Sequence, residues 1–374
     1  MLKILLLITI MSTSIISISQ DHYMITGTYT QGNSNGIYVY SFNKDNGSFS
    51  LVDSAVIENP SYLAVSADNR FVYAVNELGN NSGGGMVTAF SFDNRTGKLK
   101  FLNSRSSRGE NPCYVSIDRT GNWLAVGNYS SGTAAILPIQ KNGMLDEAVS
   151  VVEHQGSSIN KKRQEAAHVH ATVFSPDNRF LYVPDLGIDK LVAYTFNEQT
   201  GNLTAASSHT IKMEEGYGPR HFEFHPGHNW AYLLNELSGM VSVFKNDENN
   251  LSLLQTISAL PEGFDKPFTS ADIHVSADGK FLYASNRDAS NTIAIFKINR
   301  ETGTIKLAGH QSTLGKTPRN FSLDPTGNFL LVANQNSDNI IVFRINRSTG
   351  LLTAQKQTIE VGSPVCIKWI QKAD

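Results

Sequence analysis

Gly218-Pro219-Arg220-His221-Phe222-Glu223-Phe224-His225-Pro226-Gly227-His228-Asn229-Trp230-Ala231-Tyr232-Leu233-Leu234-Asn235-Glu236 is the stretch on which the fold turns. Two apolar runs flank a Pro-Gly-His-Asn turn, which is the pattern of a β-hairpin. The start of the first strand and the end of the second lie side by side in such a hairpin. Arg220, His221 and Glu236 are therefore expected to converge at one end of it.

The hairpin recurs along the chain. Asn59-Pro60-Ser61-Tyr62 leads to Asn76-Glu77, Asn111-Pro112-Cys113-Tyr114 to Asn128-Tyr129, and His168-Val169-His170 to Asp185-Leu186. Beyond the opening copy, Ser270-Ala271-Asp272 leads to Asn286-Arg287 and Pro318-Arg319-Asn320 to Asn334-Gln335. Pro364-Val365-Cys366 opens a seventh copy that has no second strand after it. The missing pieces stand at the other end, where residues 22–29 read as a second strand and residues 37–42 as a third. Each copy continues with an alternating run such as residues 87–92, a turn such as Thr96-Gly97, and a fourth short strand. Four strands on a period of about fifty residues identify a β-propeller. The expected fold is all-β, a seven-bladed β-propeller of four-stranded antiparallel blades, with the ring closed by pairing the C-terminal strand with the N-terminal strands. It occupies residues 21–374 as a single domain.

A formal net charge of -2 over 374 residues leaves no electrostatic footprint for nucleic acid or an anionic membrane. Lys3 followed by a short apolar stretch and the Ser/Thr/Ile-rich run to Gln20 reads as a secretory signal, too short and too Ser-rich for a spanning helix. Export of the mature chain is expected, to the periplasm or the exterior; the alternative is an N-terminal extension of a cytoplasmic protein. Two cysteines, Cys113 and Cys366, do not make a disulfide framework. They fall on blades that are not adjacent, too far apart to bridge, and are expected as free thiols.

Aligning the copies produces columns. The start of each first strand, which lines the channel of a propeller, carries Tyr62, Tyr114, His170, His221, Asp272, Asn320 and Cys366. The column before it includes Cys113, Arg220 and Arg319 and points the opposite way if the strand is regular. The second strands return to the same mouth with Asn76, Asn128, Asp185, Asn235, Asn286, Asn334 and Thr28, followed by Glu77, Tyr129, Leu186, Glu236, Arg287, Gln335 and Tyr29. A recurring Asn or Asp is expected to bond nearby backbone. The departures from the pattern are informative, because a shared folding requirement cannot explain them. His168 and His170 could share a strand face and suggest a metal, yet no third ligand has diagnostic spacing, so no metal is expected. His225 and His228 fall in the far turn and are expected at the surface. The polar connection 154–165 and the Gly-rich insertion 79–85 both border the mouth as candidate rims or lids.

Five groups of segments resemble the seven-bladed lactonase family, which includes bacterial propeller-type 6-phosphogluconolactonases and fungal carboxy-muconate cyclising enzymes. They are Gly27-Thr28-Tyr29-Thr30 with Gly36-Ile37-Tyr38; Gly156-Ser157-Ser158 with Asn160, Arg163-Gln164 and His168-Val169-His170; and Gly218-Pro219-Arg220-His221 with residues 235–239. Tyr283-Ala284-Ser285-Asn286-Arg287 and Thr317-Pro318-Arg319-Asn320-Phe321 complete the set. The resemblance implies lactone hydrolysis without a cofactor, on a small and anionic lactone. The reaction needs a base for water, a cation or donor for the oxyanion and an acid for the leaving alkoxide. Glu236 or His170 is expected to move the proton with His221 close by, and Arg220 to face the oxyanion. Arg163, Arg287 and Arg319, together with Glu77, His168 and Asn320, are expected to bind substrate. The Gly-x-Ser-x-Gly elbow of a serine nucleophile does not occur. Export would disfavour 6-phosphogluconolactone, whose formation is cytoplasmic, in favour of another sugar or organic-acid lactone. The same residues would serve a lactonising lyase or cycloisomerase, and a non-catalytic ligand-binding propeller shares the fold.

Overall fold

The structure, a computed structural model, describes residues 22–373; the expected signal, residues 1–20, lies outside them. Seven antiparallel sheets follow one another around a ring. Leu63–Val65, Phe71–Asn76, Met86–Asp93 and Lys98–Ser106 form the first blade. The opening hairpin becomes the fourth, as Pro219–Phe224, Trp230–Asn235, Met240–Asp247 and Asn250–Ser258. Pro364–Gln371 pairs with His22–Thr28, and Gly36–Phe42 and Phe49–Val56 complete that closing blade. Its register sets Cys366 against Gly27 and Ile370 against Tyr23. Closure in this way leaves no open end of the array to pair with another chain. The third blade is irregular. Its first strand is only Val173–Phe174, and its outer edge is split into Leu203–Ala205 and Ile211–Lys212 on either side of a 3-10 turn. Among the described residues no helix is long and apolar enough to cross a membrane.

Burial follows position in the blade. Trp230–Asn235 is buried along its whole length, which is why such second strands read as unbroken apolar runs, whereas the outer strand Lys98–Ser106 is largely accessible. Neighbouring blades are clasped by a recurring contact. Tyr73, Tyr232 and Tyr283, all fully buried, donate their hydroxyls to the carbonyls of Gly143, Gly303 and Gly350 in the outer turn of the next blade. Those glycines have positive φ, and a Cβ on Gly303 would lie 2.4 Å from the Trp230 ring. The turn glycine is therefore fixed both by its backbone conformation and by the blade behind it. The Asn column behaves as a set of backbone ties: Asn76, Asn128, Asn286 and Asn334 donate Nδ2 to the carbonyls of Glu58, Ser107, Ala259 and Thr313.

Two expectations need correction. The first strands are not regular at the mouth. Pro219 pairs with Asn235 but His221 pairs with Leu234, and the same slip occurs at Pro112/Tyr114 and Pro318/Asn320. Each bulge inserts a residue and breaks the alternation, so Arg220, Cys113 and Arg319 are not turned away from the site. His225, expected at the surface, is 6% exposed; its Nε2 lies 3.1 Å from the Gly279 carbonyl of the next blade and its ring packs on Trp230. His228 is exposed. Cys113 and Cys366 are both free and buried.

Candidate active site

Glu236 is the hub. It directly follows the second strand of the fourth blade, where its amide donates to the Gly218 carbonyl at 2.7 Å and aims the side chain into the mouth. The carboxylate is 2% exposed and meets three guanidiniums: Arg163 Nη2 at 2.5 Å, Arg220 Nε at 2.8 Å and Arg287 Nη2 at 3.1 Å. Burial alone would raise the pKa of Glu236, but Arg287, Arg220 and Arg163 bring it down to about 2. A buried carboxylate is tolerable only with such compensation. It is an anion at any working pH and a weak base. Arg163 arrives from the long connection after the second blade, so that connection does reach the mouth.

His170 stands beside this hub, with Nε2 3.8 Å from Glu236 Oε2 and Nδ1 3.7 Å from Cys113 Sγ. Burial, then Arg220, His221 and Arg319, hold its pKa well below 6.5, so the ring is neutral and able to accept a proton. The Cys113 thiol is pushed up to about 12 by burial and by Glu77. It is no thiolate nucleophile. Tyr129 lies edge-on to His170 with ring centroids 5.4 Å apart, and its other contact is a flat stack on His168 at 4.4 Å. The Tyr129 phenol oxygen accepts from Arg163 Nη2 at 3.3 Å, and its own O–H donates to nothing among the described residues. Across the closing blade, Tyr29 donates to Glu77 at 2.8 Å and lies under the Arg319 guanidinium, 5.4 Å from the ring centroid. Unlike the other three arginines, Arg319 has no hydrogen bond or ion pair among the described residues.

These groups surround a cavity of about 440 Å³ lined by Glu77, Arg163, His170, Glu236, Arg287 and Arg319 of the expected set, and by Tyr29, Cys113, Tyr129, Thr269 and Asp288. Four expected residues do not line it. Arg220 is 1% exposed, with its guanidinium committed to Glu236, His221 Nε2 and the Ala271 carbonyl. It sits behind the carboxylate, where it cannot touch an oxyanion. His221 lies deeper in the channel, bonded to Asp272. Asn320 is buried against Asp272 and donates no group to the cavity, its carbonyl oxygen accepting from the Ile367 amide. His168 is 6% exposed and supports Tyr129 from behind, with Nδ1 3.1 Å from that residue's carbonyl. Tyr29 and Tyr129 were missed as site residues, although they share the column of Glu77, Glu236 and Arg287. That column supplies five of the eleven lining residues, against His170 alone from the ring column.

A larger groove of about 830 Å³ on the rim carries Lys280, Lys297, Arg300, Lys306 and Arg347 but no carboxylate or histidine, so it has no acid–base pair. Among the described residues no three His, Cys, Asp or Glu side chains are grouped to hold a metal ion.

The chain matches the family model "Lactonase, 7-bladed beta-propeller" over residues 23–369. It is 39% identical to a 6-phosphogluconolactonase of Formosa agariphila, covering 90% of this chain and 96% of that one. A 6-phosphogluconolactonase of Bacillus subtilis is 35% identical, over 92% and 97%. Among solved structures, the periplasmic gluconolactonase of Pseudomonas aeruginosa superposes with a TM-score of 0.90 at 36% identity, over 94% of this chain and all of that one. The chain therefore belongs to the seven-bladed β-propeller lactonases and is a carboxylic-ester hydrolase that opens a lactone.

Proposed function

We propose that the substrate is an anionic sugar or organic-acid lactone whose charged group is received by Arg319, and that His170 moves the proton. The observation that carries this reading is the unpaired Arg319 guanidinium in a cavity whose other arginines are held by Glu236. A fork of this kind suits a carboxylate or a phosphate. Burial would lower its pKa, but Tyr29 and Glu77 raise it above the ordinary arginine value, so it stays charged. His170, neutral, takes a proton from water as the water oxygen bonds to the lactone carbonyl carbon. The Tyr129 hydroxyl, polarised by Arg163, donates to the resulting oxyanion. When the ring C–O bond breaks, the His170 imidazolium returns its proton to the leaving alkoxide, giving the open-chain hydroxy acid. Glu236 accepts no proton in this scheme; it holds the arginines and the flank of His170.

Arg319→Ala should raise KM for 6-phosphogluconolactone at least tenfold while changing KM for uncharged glucono-1,5-lactone less than threefold, about the scale of one charge-assisted contact. Equal effects on both would remove the anion-binding role. The signal-like residues 1–20 support export of the mature chain, which N-terminal sequencing of protein recovered from cells and medium tests directly.

A further inference from the structure

Beneath the cavity, a line of hydrogen-bonded side chains runs down the channel and away from the substrate. Arg220 Nη1 lies 3.1 Å from His221 Nε2, and His221 Nδ1 lies 2.7 Å from Asp272 Oδ1. The other oxygen of Asp272 is 3.0 Å from His274 Nε2, and His274 Nδ1 is 2.6 Å from Glu223 Oε2. At the upper end, Arg220 Nε donates to Glu236, whose Oε2 faces His170. Three blades contribute to this chain of contacts, the third through His170, the fourth through Arg220, His221, Glu223 and Glu236, and the fifth through Asp272 and His274.

The direction of every bond follows from what each group can do. A guanidinium only donates, so His221 Nε2 must accept from Arg220 and the proton of the neutral ring stands on Nδ1, where Asp272 accepts it. His274 lies between two carboxylates, so both of its nitrogens donate and the ring is an imidazolium. The titration of the two histidines agrees: burial and Arg220 take His221 down to about 4, whereas Asp272 and Glu223 overcome burial and take His274 up to about 10. Asp272 is fully buried and fully used. Its Oδ1 also accepts from the Ile273 amide, and its Oδ2 from Asn320 Nδ2 and the Phe321 amide. With donors on both oxygens, the carboxylate leaves His221 one tautomer and one orientation. The Tyr114 ring sits edge-on to His221 with centroids 5.3 Å apart, and Tyr62 does the same at 6.0 Å, so the ring cannot swing away. Arg220 then has three fixed acceptors, His221, Glu236 and the Ala271 carbonyl, and cannot follow substrate.

We propose that Asp272 and His274 are positioning residues for the hydrolysis: they lock the tautomer of His221, which holds Arg220 and thereby sets the Glu236 carboxylate against His170. Neither residue lines the cavity. Their effect reaches the reaction only through the chain, and it rests on the assignment of His170 and Glu236 to the site. A purely architectural role for the same network would make both residues matter for folding and leave turnover of the folded enzyme alone.

The isosteric variant Asp272→Asn separates these cases. Its NH2 group must face either His221 Nδ1–H or the donors on the other side; facing His221, it forces the proton to Nε2, against the Arg220 N–H. Folded Asp272→Asn enzyme should lose at least tenfold in kcat on 6-phosphogluconolactone or glucono-1,5-lactone, whichever the wild type turns over faster, with KM within threefold because Arg319 is outside the chain. Arg220→Lys, which cannot bond Glu236 and His221 together in this geometry, should lose a comparable factor. Combining the two should cost less than threefold beyond the worse single variant, since both cut one path. His274→Gln provides a second entry point near solvent and should lower kcat at least threefold without moving KM, including if Asp272→Asn fails to fold. Unchanged kcat in His274→Gln and in folded Asp272→Asn, or losses that multiply with that of Arg220→Lys, would overturn the inference while an impaired Arg220→Lys left the site assignment standing. An Arg220→Lys enzyme as fast as wild type would overturn both.

Discussion

At the scale of single residues, the site separates groups that hold charge from groups that can change it. Glu236 and Arg287 hold charge: the carboxylate is drawn down to about 2 by its arginines, and the guanidinium, although lowered to about 10 by burial, remains a cation at neutral pH. His170 can change state, because burial and three nearby basic groups keep it unprotonated. In the role proposed for His170 the base form is the active one and persists as pH falls below 6.5, so the acid limb of kcat/KM should lie below the ordinary histidine value. A pH–rate profile with its limb at or above 6.5 would assign the proton transfer elsewhere. Tyr129 offers the complementary test. Removing its hydroxyl deletes a free donor but not the His168 stack, so Tyr129→Phe should lose roughly a hundredfold to a thousandfold in kcat, in the range of one oxyanion donor, with a normal melting temperature. Much of this could be read from sequence, because Glu77, Glu236 and Arg287 break the repeat visibly. The roles of Arg220 and Tyr129 could not. Arg220, expected to face the oxyanion, instead supports Glu236 from behind, since a one-residue bulge redirects its side chain; the prolines that open these bulges, Pro112, Pro219 and Pro318, are the sequence signal that the regular-strand reading passed over. A tyrosine in a β protein is unremarkable until its hydroxyl is seen without an acceptor.

At the scale of the element, the informative unit is the outer turn with its glycine. The Thr-Gly and Asn-Gly pairs announce tight turns in the sequence, and positive φ explains the glycine locally. The contact with the preceding blade does not follow from any local pattern, because it joins residues about seventy positions apart and exists only once the ring has formed. It predicts a cost larger than backbone conformation alone. In Gly303→Ala the new methyl would meet both a φ of 76° and the Trp230 ring at 2.4 Å. Destabilisation of at least about 2 kcal/mol is expected, the sum of a left-handed alanine and an overpacked seam. Gly263→Ala provides the contrast: its φ is 69° but a Cβ there meets nothing within 4 Å, so only the conformational part, about 1 kcal/mol, should appear. Urea unfolding of the two variants against wild type measures the difference, and equal costs would show that the seam yields freely. The third blade marks the opposite limit of legibility. Its strand count follows from the repeat, but the shortened first strand Val173–Phe174 and the outer edge split into Leu203–Ala205 and Ile211–Lys212 have no signal in the repeat pattern.

At the scale of the whole molecule, the channel network ties stability to pH in two opposite senses. His221 binds its proton at about 4 in the fold and near 6.5 when unfolded, and His170 is shifted in the same direction. Between those values the unfolded chain binds more protons, so stability falls as pH drops from 6.5 toward 4. Glu236 adds to the loss only later: its contribution is complete above its ordinary 4.5 and disappears as pH approaches 2. His274 acts on the other side. Its folded value of about 10 exceeds 6.5, so its contribution is complete below 6.5 and is lost progressively as pH rises to 10. The two trends cross near neutrality, and the melting temperature should peak close to pH 6.5 and decline in both directions. Because one residue accounts for much of the alkaline decline, His274→Gln should lower the peak and flatten the profile from 6.5 to 10, and, since the His274 cation also helps hold His221 down, it should make the acid slope shallower. Thermal unfolding followed by circular dichroism across pH 4–10 tests this, and an alkaline slope that survives the substitution would place the titrating group outside the channel.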